Sequence, residues 1–362
     1  MRLKRLELWW RAVWIRLLVR MMRRGETTGG ARPDWDARPY RVLFLRHDRA
    51  GDMILSTGVM RAIARSHPTI AMDVLASPAN AAILDASDYV ARVVVFDKRS
   101  IGSYPSILLK LRRAKYDAVI DCMVTAPSVT TLLLVLASGA RHRIGIAGRG
   151  NDAAFNLTVP ANDRPGAHMV DLLAPLAGAF GVDPHAAHRP EITLTSDEQV
   201  RAERLWAAGN ARRVLINISA GTSERVWPDE QYASVMRHLA ARDANTDIVV
   251  IASPADSTRA QSVARAGRGR YVPTSSIRDA FALVASADFV LTPDTSITHA
   301  ASAFRTPSVV IFVRGKLERW RLYDAPGENV EHTESTLQTL PLERVIAAID
   351  SVWDDVASRP RG

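Results

Sequence analysis

Short runs of Val, Ile and Leu alternate along this chain with amphipathic stretches of helical length, and the alternation occurs twice. Strands buried on both faces of a parallel sheet read as continuous apolar runs, and the helices that cover them read as intervening amphipathic segments. The first series predicts strands at Val42–Leu45, Met72–Ala76, Val93–Phe96 and Ala118–Asp121, with helices over Ile54–Ser66, Ser103–Ala114 and Ser128–Leu136. The pattern weakens between Gly145 and Pro190. It then restarts with strands at Val214–Ile218, Ile248–Ile251, Phe289–Leu291 and Val309–Phe312, and helices over Glu230–Arg242, Ser257–Ala266, Ile277–Ala285 and Thr295–Phe304. A chain of 362 residues also exceeds what one hydrophobic core usually organises. The expected architecture is α/β: two Rossmann-like domains, 41–190 and 191–340, facing a central cleft. A last helix, within 341–358, is free to pack on either.

Ahead of these domains, residues 1–24 contain no Gly or Pro and carry eight Lys and Arg against one Glu, a net +7 of the chain's +9. At 100° per residue, Leu3, Trp10, Trp14, Leu17 and Met21 form an apolar stripe, widened by Leu18 and Met22, opposite Arg2, Arg5, Arg16, Arg20, Arg23 and Arg24. The longest uncharged run is Ala12–Ile15, which excludes a spanning helix and a signal-peptide core. Such a helix suits an anionic membrane surface; the alternative is a helix packed on its own protein or on a second subunit. Residues 25–40 read as a flexible linker.

Charge elsewhere is too small for a nucleic-acid-binding field, so no nucleic-acid partner is expected. Hydrophobic content of 47% and charged content of 23% are ordinary for a folded protein. The lone cysteine, Cys122, excludes an internal disulfide and reads as buried filler.

Ligands of open parallel sheets bind beyond the carboxyl ends of strands, and three loops in such places carry small, polar and charged residues. His47-Asp48-Arg49-Ala50-Gly51-Asp52 puts a carboxylate at the mouth of a helix, where Asp52 is equally a candidate helix cap. Ser219–Pro228 supplies Gly221, Thr222, Ser223 and Arg225, the close donors and positive charge that a diphosphate needs. Thr292–His299 leads into a small-residue helix whose first turn favours anions, with Asp294 again a candidate cap and His299 a candidate buried helix residue. No G-x-G-x-x-G or Walker motif occurs, which argues against a dehydrogenase or an NTPase.

Taken in order, Arg46-His47-Asp48-Arg49-Ala50-Gly51-Asp52, Arg225-Val226-Trp227-Pro228 and the stretch Asp288 through Pro307 resemble the heptosyltransferase-like family 9 of bacterial glycosyltransferases, which have the two-Rossmann GT-B architecture. The likeness runs from about Arg41 to Pro307. It implies that Asp52 is the catalytic base, beside the acceptor-side residues Arg49 and Gly51. It implies that Arg225 contacts the donor phosphates, where relatives often carry Lys, that Asp294 contacts the donor sugar, and that Thr222, Ser223, Thr295, Ser296 and His299 sit at the diphosphate. This sequence departs from the family at Gly58, where relatives commonly have Pro, and at Pro293-Asp294-Thr295-Ser296-Ile297, where they often read Asn-Asp-Ser-Gly-Pro.

The resemblance implies an inverting transfer of a sugar, with heptose expected, from a nucleotide-diphosphate donor to a lipopolysaccharide-type or other membrane glycolipid. It places the protein at the inner face of the cytoplasmic membrane. Neither a cofactor nor a metal is expected: no Cys/His cluster has zinc spacing, and fixed protein charges can replace a cation at the leaving diphosphate. The rival readings are another GT-B activity, such as a hexosyltransferase or a nucleotide-sugar epimerase, and a catalytically silent membrane-tethered binding protein.

Overall fold

Each alternating series folds into a six-stranded, all-parallel sheet in the computed structural model, which describes residues 13–20, 32–186 and 188–358. The sheets belong to two separate units, Met1–His188 and Arg189–Gly362. In the first, the strands are β1 (Tyr40–Arg46), β2 (Ile70–Ala76), β3 (Arg92–Val95), β4 (Ala118–Asp121), β5 (His142–Ile146) and β6 (Leu157–Val159). The second holds β7 (Arg212–Asn217), β8 (Thr246–Ile251), β9 (Arg270–Tyr271), β10 (Phe289–Pro293), β11 (Ser308–Phe312) and β12 (Gly327–Glu331).

The spatial orders are β3-β2-β1-β4-β5-β6 and β9-β8-β7-β10-β11-β12, the same Rossmann order repeated. The direction of strand addition therefore reverses between β1 and β4, and again between β7 and β10. Loops leaving the carboxyl ends of those four strands diverge, and ligands of such sheets bind in the resulting crevice. All three loops singled out in the sequence leave one of these four strands.

Apolar side chains fill the layers between sheet and helix. In unit 1, Leu43, Leu45 and Val119 meet Ile107 and Leu111 of the helix Ser103–Ala114 and Leu132 and Val135 of Val129–Ser138. Gly145 on β5 lies against the Phe155 ring so closely that a Cβ would come within 2.5 Å of it. In unit 2, the last helix, Leu342–Ser358, buries Val345, Ile349, Val352 and Trp353 against that unit's core.

Four strands escape the sequence pattern. β9 and β12 are polar edge strands, β6 spans three residues, and β5 is broken in pattern by Gly145. The helix Ser196–Leu205 is also missed, although Thr195 and Glu198 form a capping box, a signal present in the sequence.

Two expectations about the amino-terminal region change. Residues 13–20 are helical, but the face turned inward is Ile15, Leu18 and Val19, which join the unit 1 core, with Leu18 only 3% exposed. Trp14 and Leu17, from the expected stripe, are 49% and 45% exposed. The rest of that stripe (Leu3, Trp10, Met21, Met22) and the cations Arg2, Arg5, Arg23 and Arg24 lie outside the described residues. The linker expected over 25–40 is described from residue 32, and it is fastened: Trp35 is buried, its Nε1 donates to Ala179 O at 2.9 Å, and its ring stacks on Phe180.

Candidate active site

In unit 1 the carboxyl end of β1 delivers Arg46, an arginine that closes the apolar run Val42–Leu45 and is almost wholly buried. Its Nε donates to Ser56 Oγ at 2.7 Å, and its Nη1 pairs with Asp48 Oδ2 at 2.9 Å. Ser56 Oγ in turn donates to the Asp52 carbonyl at 2.8 Å, so one guanidinium braces both the loop and the first helical turns. The loop after β2 holds the other side: Asn80 Nδ2 donates to Arg46 O and Ser77 Oγ to Asp48 O, each at 3.0 Å.

The helix starts at Ala50 with Arg49 as its N-cap residue, and no side chain caps it. Asp52 is thus the third helical residue, which removes the reading of Asp52 as an N-cap. Burial, and then the neighbouring Asp48 carboxylate, push Asp52 up to about 6 against the opposing pull of Arg46, Arg49 and the Arg49 backbone. Burial pulls the Arg46 guanidinium toward neutrality, but Asp48 and Asp52 outweigh it and keep it charged. His47, buried and facing Lys98 and Arg46, is lowered to about 4 and is neutral near pH 7.

A fourth loop, not singled out in the sequence, completes this end of the sheet. Asp121 closes β4 opposite Leu45 of β1, and its Oδ1 accepts from Met123 N at 2.8 Å. Burial pushes it up to about 6, with Asp48 adding and Arg46 opposing. The signal was a carboxylate ending an apolar strand run, the same signal that Arg46 gives. Cys122 is buried and its thiol is pushed well up, which keeps it unreactive.

In unit 2, the loop after β7 is clamped at its base by Arg259, which donates to Ile218 O at 3.0 Å and Trp227 O at 2.9 Å. Trp227 is buried, and its Nε1 donates to Leu340 O at 3.1 Å. The Trp-Pro pair therefore anchors the loop, with Pro228 as the cap residue before the helix Asp229–Arg242. Gly221, Thr222 and Ser223 are exposed at the loop's crest. Arg225 folds back onto the loop after β10, where its Nη1 meets both Asp294 Oδ2 at 2.9 Å and Asp294 O at 3.0 Å.

Asp294 is buried and is not the helix cap; Thr295 is, its Oγ1 accepting from Ile297 N at 3.3 Å in a capping box with Thr298. Asn217, missed in the sequence, ends β7 and ties the two loops together by donating to Thr292 Oγ1 at 2.9 Å and Thr295 Oγ1 at 3.2 Å. Ser296 begins the helix Ser296–Phe304 half-buried, and His299 is buried with its ring 6.0 Å from that of Trp320.

The structure thus brings Arg46, Asp48, Asp52 and Asp121 together in unit 1, and Arg225, Asp294, Thr295 and Asn217 together in unit 2. Among the described residues no group of three or more His, Cys, Asp and Glu is arranged to hold a metal. One Asp-x-Asp spacing, Asp34 and Asp36, occurs in the sequence. It precedes the amino end of β1, the far end of the strand from Asp52, and Asp36 Oδ1 is engaged there by His67 Nδ1 at 2.9 Å.

Two Rossmann sheets of identical order, one ending in a carboxylate cluster and the other in a hydroxyl-lined loop with an arginine and a helix start, define a glycosyltransferase of the GT-B class. The profile of glycosyltransferase family 9 (heptosyltransferase) matches residues 106–344, and the chain belongs to this family. The matched stretch holds the whole unit 2 site, whereas Asp52 lies ahead of it. Over 307 residues the chain is 22% identical to lipopolysaccharide core heptosyltransferase OpsX of Haemophilus influenzae, covering 83% of this chain and 85% of that protein. Among solved structures it resembles a family 9 glycosyltransferase from Veillonella parvula (TM-score 0.77, 15% identity, 88% of this chain and 99% of that one). It also resembles the E. coli heptosyltransferase WaaC with ADP (TM-score 0.70, 20% identity, 88% and 100%).

Proposed function

We propose that this glycosyltransferase transfers heptose from an ADP-linked donor to a lipopolysaccharide-core type acceptor at a membrane surface, with inversion at the anomeric carbon. The observation that carries the reading is Asp52: a half-buried carboxylate at the switch point of sheet 1, braced through Ser56 and held near the proton affinity a general base needs. The acceptor hydroxyl oxygen forms the new bond to the anomeric carbon as its proton passes to Asp52. The bond from that carbon to the diphosphate oxygen breaks, and its electron pair leaves with the nucleotide.

Unit 2 supplies the other half. Both Arg225 contacts with Asp294 use Nη1, and a guanidinium has five donors, so its remaining edge can meet a phosphate without breaking the pair. Thr222, Ser223 and the first turn of the helix at Ser296 add hydroxyl and N–H donors where negative charge grows. Asp294 accepts from a sugar hydroxyl, and no metal ion takes part. Support for ADP and heptose comes from the family and from the solved relative with ADP.

The test is a transfer assay of the full-length protein with ADP-, UDP- and GDP-linked sugars and a lipopolysaccharide-core acceptor. Turnover confined to ADP-heptose supports the reading, and preference for a hexose donor replaces heptose. Donor binding without any turnover leaves the silent binding protein.

A further inference from the structure

The helix at residues 13–20 carries one broad apolar arc, and the structure buries only part of it. Leu18 belongs to the unit 1 core and Ile15 and Val19 pack against it, in the cluster that also holds Ile107, Leu111, Leu132 and Val135 of the helices Ser103–Ala114 and Val129–Ser138. Beside that face Trp14 and Leu17 are exposed, and the exposed cations Arg16 and Arg20 follow on the side of the helix beyond Leu17. Ser103–Ala114, which packs in the same cluster, likewise exposes Leu109 next to Lys110, with Arg113 one turn on.

We propose that unit 1 rests on an anionic phospholipid bilayer through this face, with the helix as a fixed part of the platform and not an anchor on a free tether. An exposed indole and leucine with arginines to one side match the boundary between lipid headgroup and acyl chain, where the indole is amphipathic and each cation meets phosphate. Residues 1–24 concentrate a net +7, which complements such a surface. The same charge opposes a second copy of this chain as the occupant, because a two-fold contact would bring Arg16 and Arg20 toward their own equivalents. Among the described residues no helix is long and apolar enough to cross a membrane, so contact is superficial. The proposal rests on the membrane-acceptor reading for its purpose only, since vesicle binding is measured without turnover.

The experiment compares full-length protein and the double variant Trp14→Glu/Leu17→Glu in flotation with vesicles of phosphatidylcholine alone or mixed with phosphatidylglycerol. Wild type is expected on the mixed vesicles only, and the variant to lose about tenfold or more of that partitioning with an unchanged melting temperature. Deleting residues 1–24 tests the fixed platform: a docked helix lowers the melting temperature when removed, whereas a tethered one leaves it unchanged. Equal binding to both vesicle types, equal binding of the variant, or an unchanged melting temperature after deletion each overturns the proposal. A wild-type dimer that the variant converts to monomer, without vesicle binding, gives the face to a second copy. Loss of transfer activity with vesicle binding intact would fail the enzymatic reading alone.

Discussion

At the end of β1 the chain gathers Asp48, Asp52 and Asp121 around the buried guanidinium of Arg46, whereas in unit 2 Arg225 of the loop after β7 pairs with Asp294 of the loop after β10. Each arrangement sits at the equivalent switch point of its own sheet, the two sheets having the same strand order. An excess of carboxylates raises proton affinity, which suits a group that must take a proton. A matched pair beside hydroxyls and a helix start leaves donors for an anion. Identical topology thus fixes where chemistry occurs and leaves its kind to a few loop residues.

The sharpest way to break this contrast is Asp52→Asn. The amide keeps the shape and removes the proposed base, so kcat should fall by about 10²–10⁴ while ADP affinity, measured by calorimetry, stays unchanged. Near wild-type turnover would take Asp52 out of the reaction. Next is Arg225→Ala, expected to weaken ADP binding by roughly 10- to 100-fold, the loss of a charge-assisted bond. The variant should leave the pH profile of kcat/KM in place, because that profile belongs to unit 1. A shifted profile would show that the two ends are not chemically separate.

Asp121→Asn probes the carboxylate excess through stability. An unfolded Asp ionises near its ordinary value of 3.8, but the folded one does so at about 6, so stability falls as pH rises between the two and stays reduced above. The amide avoids this cost and can still accept from Met123. The variant should gain about 1–3 kcal/mol at pH 8 and less at pH 5, read by denaturant unfolding. The smallest effect is expected from Asp48→Asn. The proposed base Asp52 would work ionised, so wild-type kcat/KM should drop as pH falls through about 6. Removing the Asp48 charge lowers Asp52, moving that acid limb down by less than about one pH unit. A limb that stays in place would show that burial alone sets it.

Much of this was legible because buried parallel strands have no polar residues to spare: β1, β2, β4, β7, β8, β10 and β11 stand out as apolar runs. The edge strands β9 and β12 do not, since they carry charged residues such as the exposed Glu328 and Arg270, which pairs with Asp247. The three site loops could be found by their place after strands, but Asp121 and Asn217 look like strand ends until the sheet order puts β4 beside β1 and β10 beside β7. At residues 13–20, periodicity finds apolar stripes without saying which one docks. That choice depends on core side chains supplied by distant strands and helices of unit 1.

Trp35 joins regions that sequence keeps far apart. Its bond to Ala179 and its stack on Phe180 link the chain just before β1 to the segment that soon leaves for unit 2. The entrance and exit of unit 1 are therefore buckled together, and the unit behaves as a nearly closed ring of chain. A ring can be opened elsewhere at little entropic cost, because its ends are already held close. Unit 1 should accordingly tolerate circular permutation, with new termini in an exposed loop and a short bridge across the indole, and the Rossmann module can be moved or replaced as one piece.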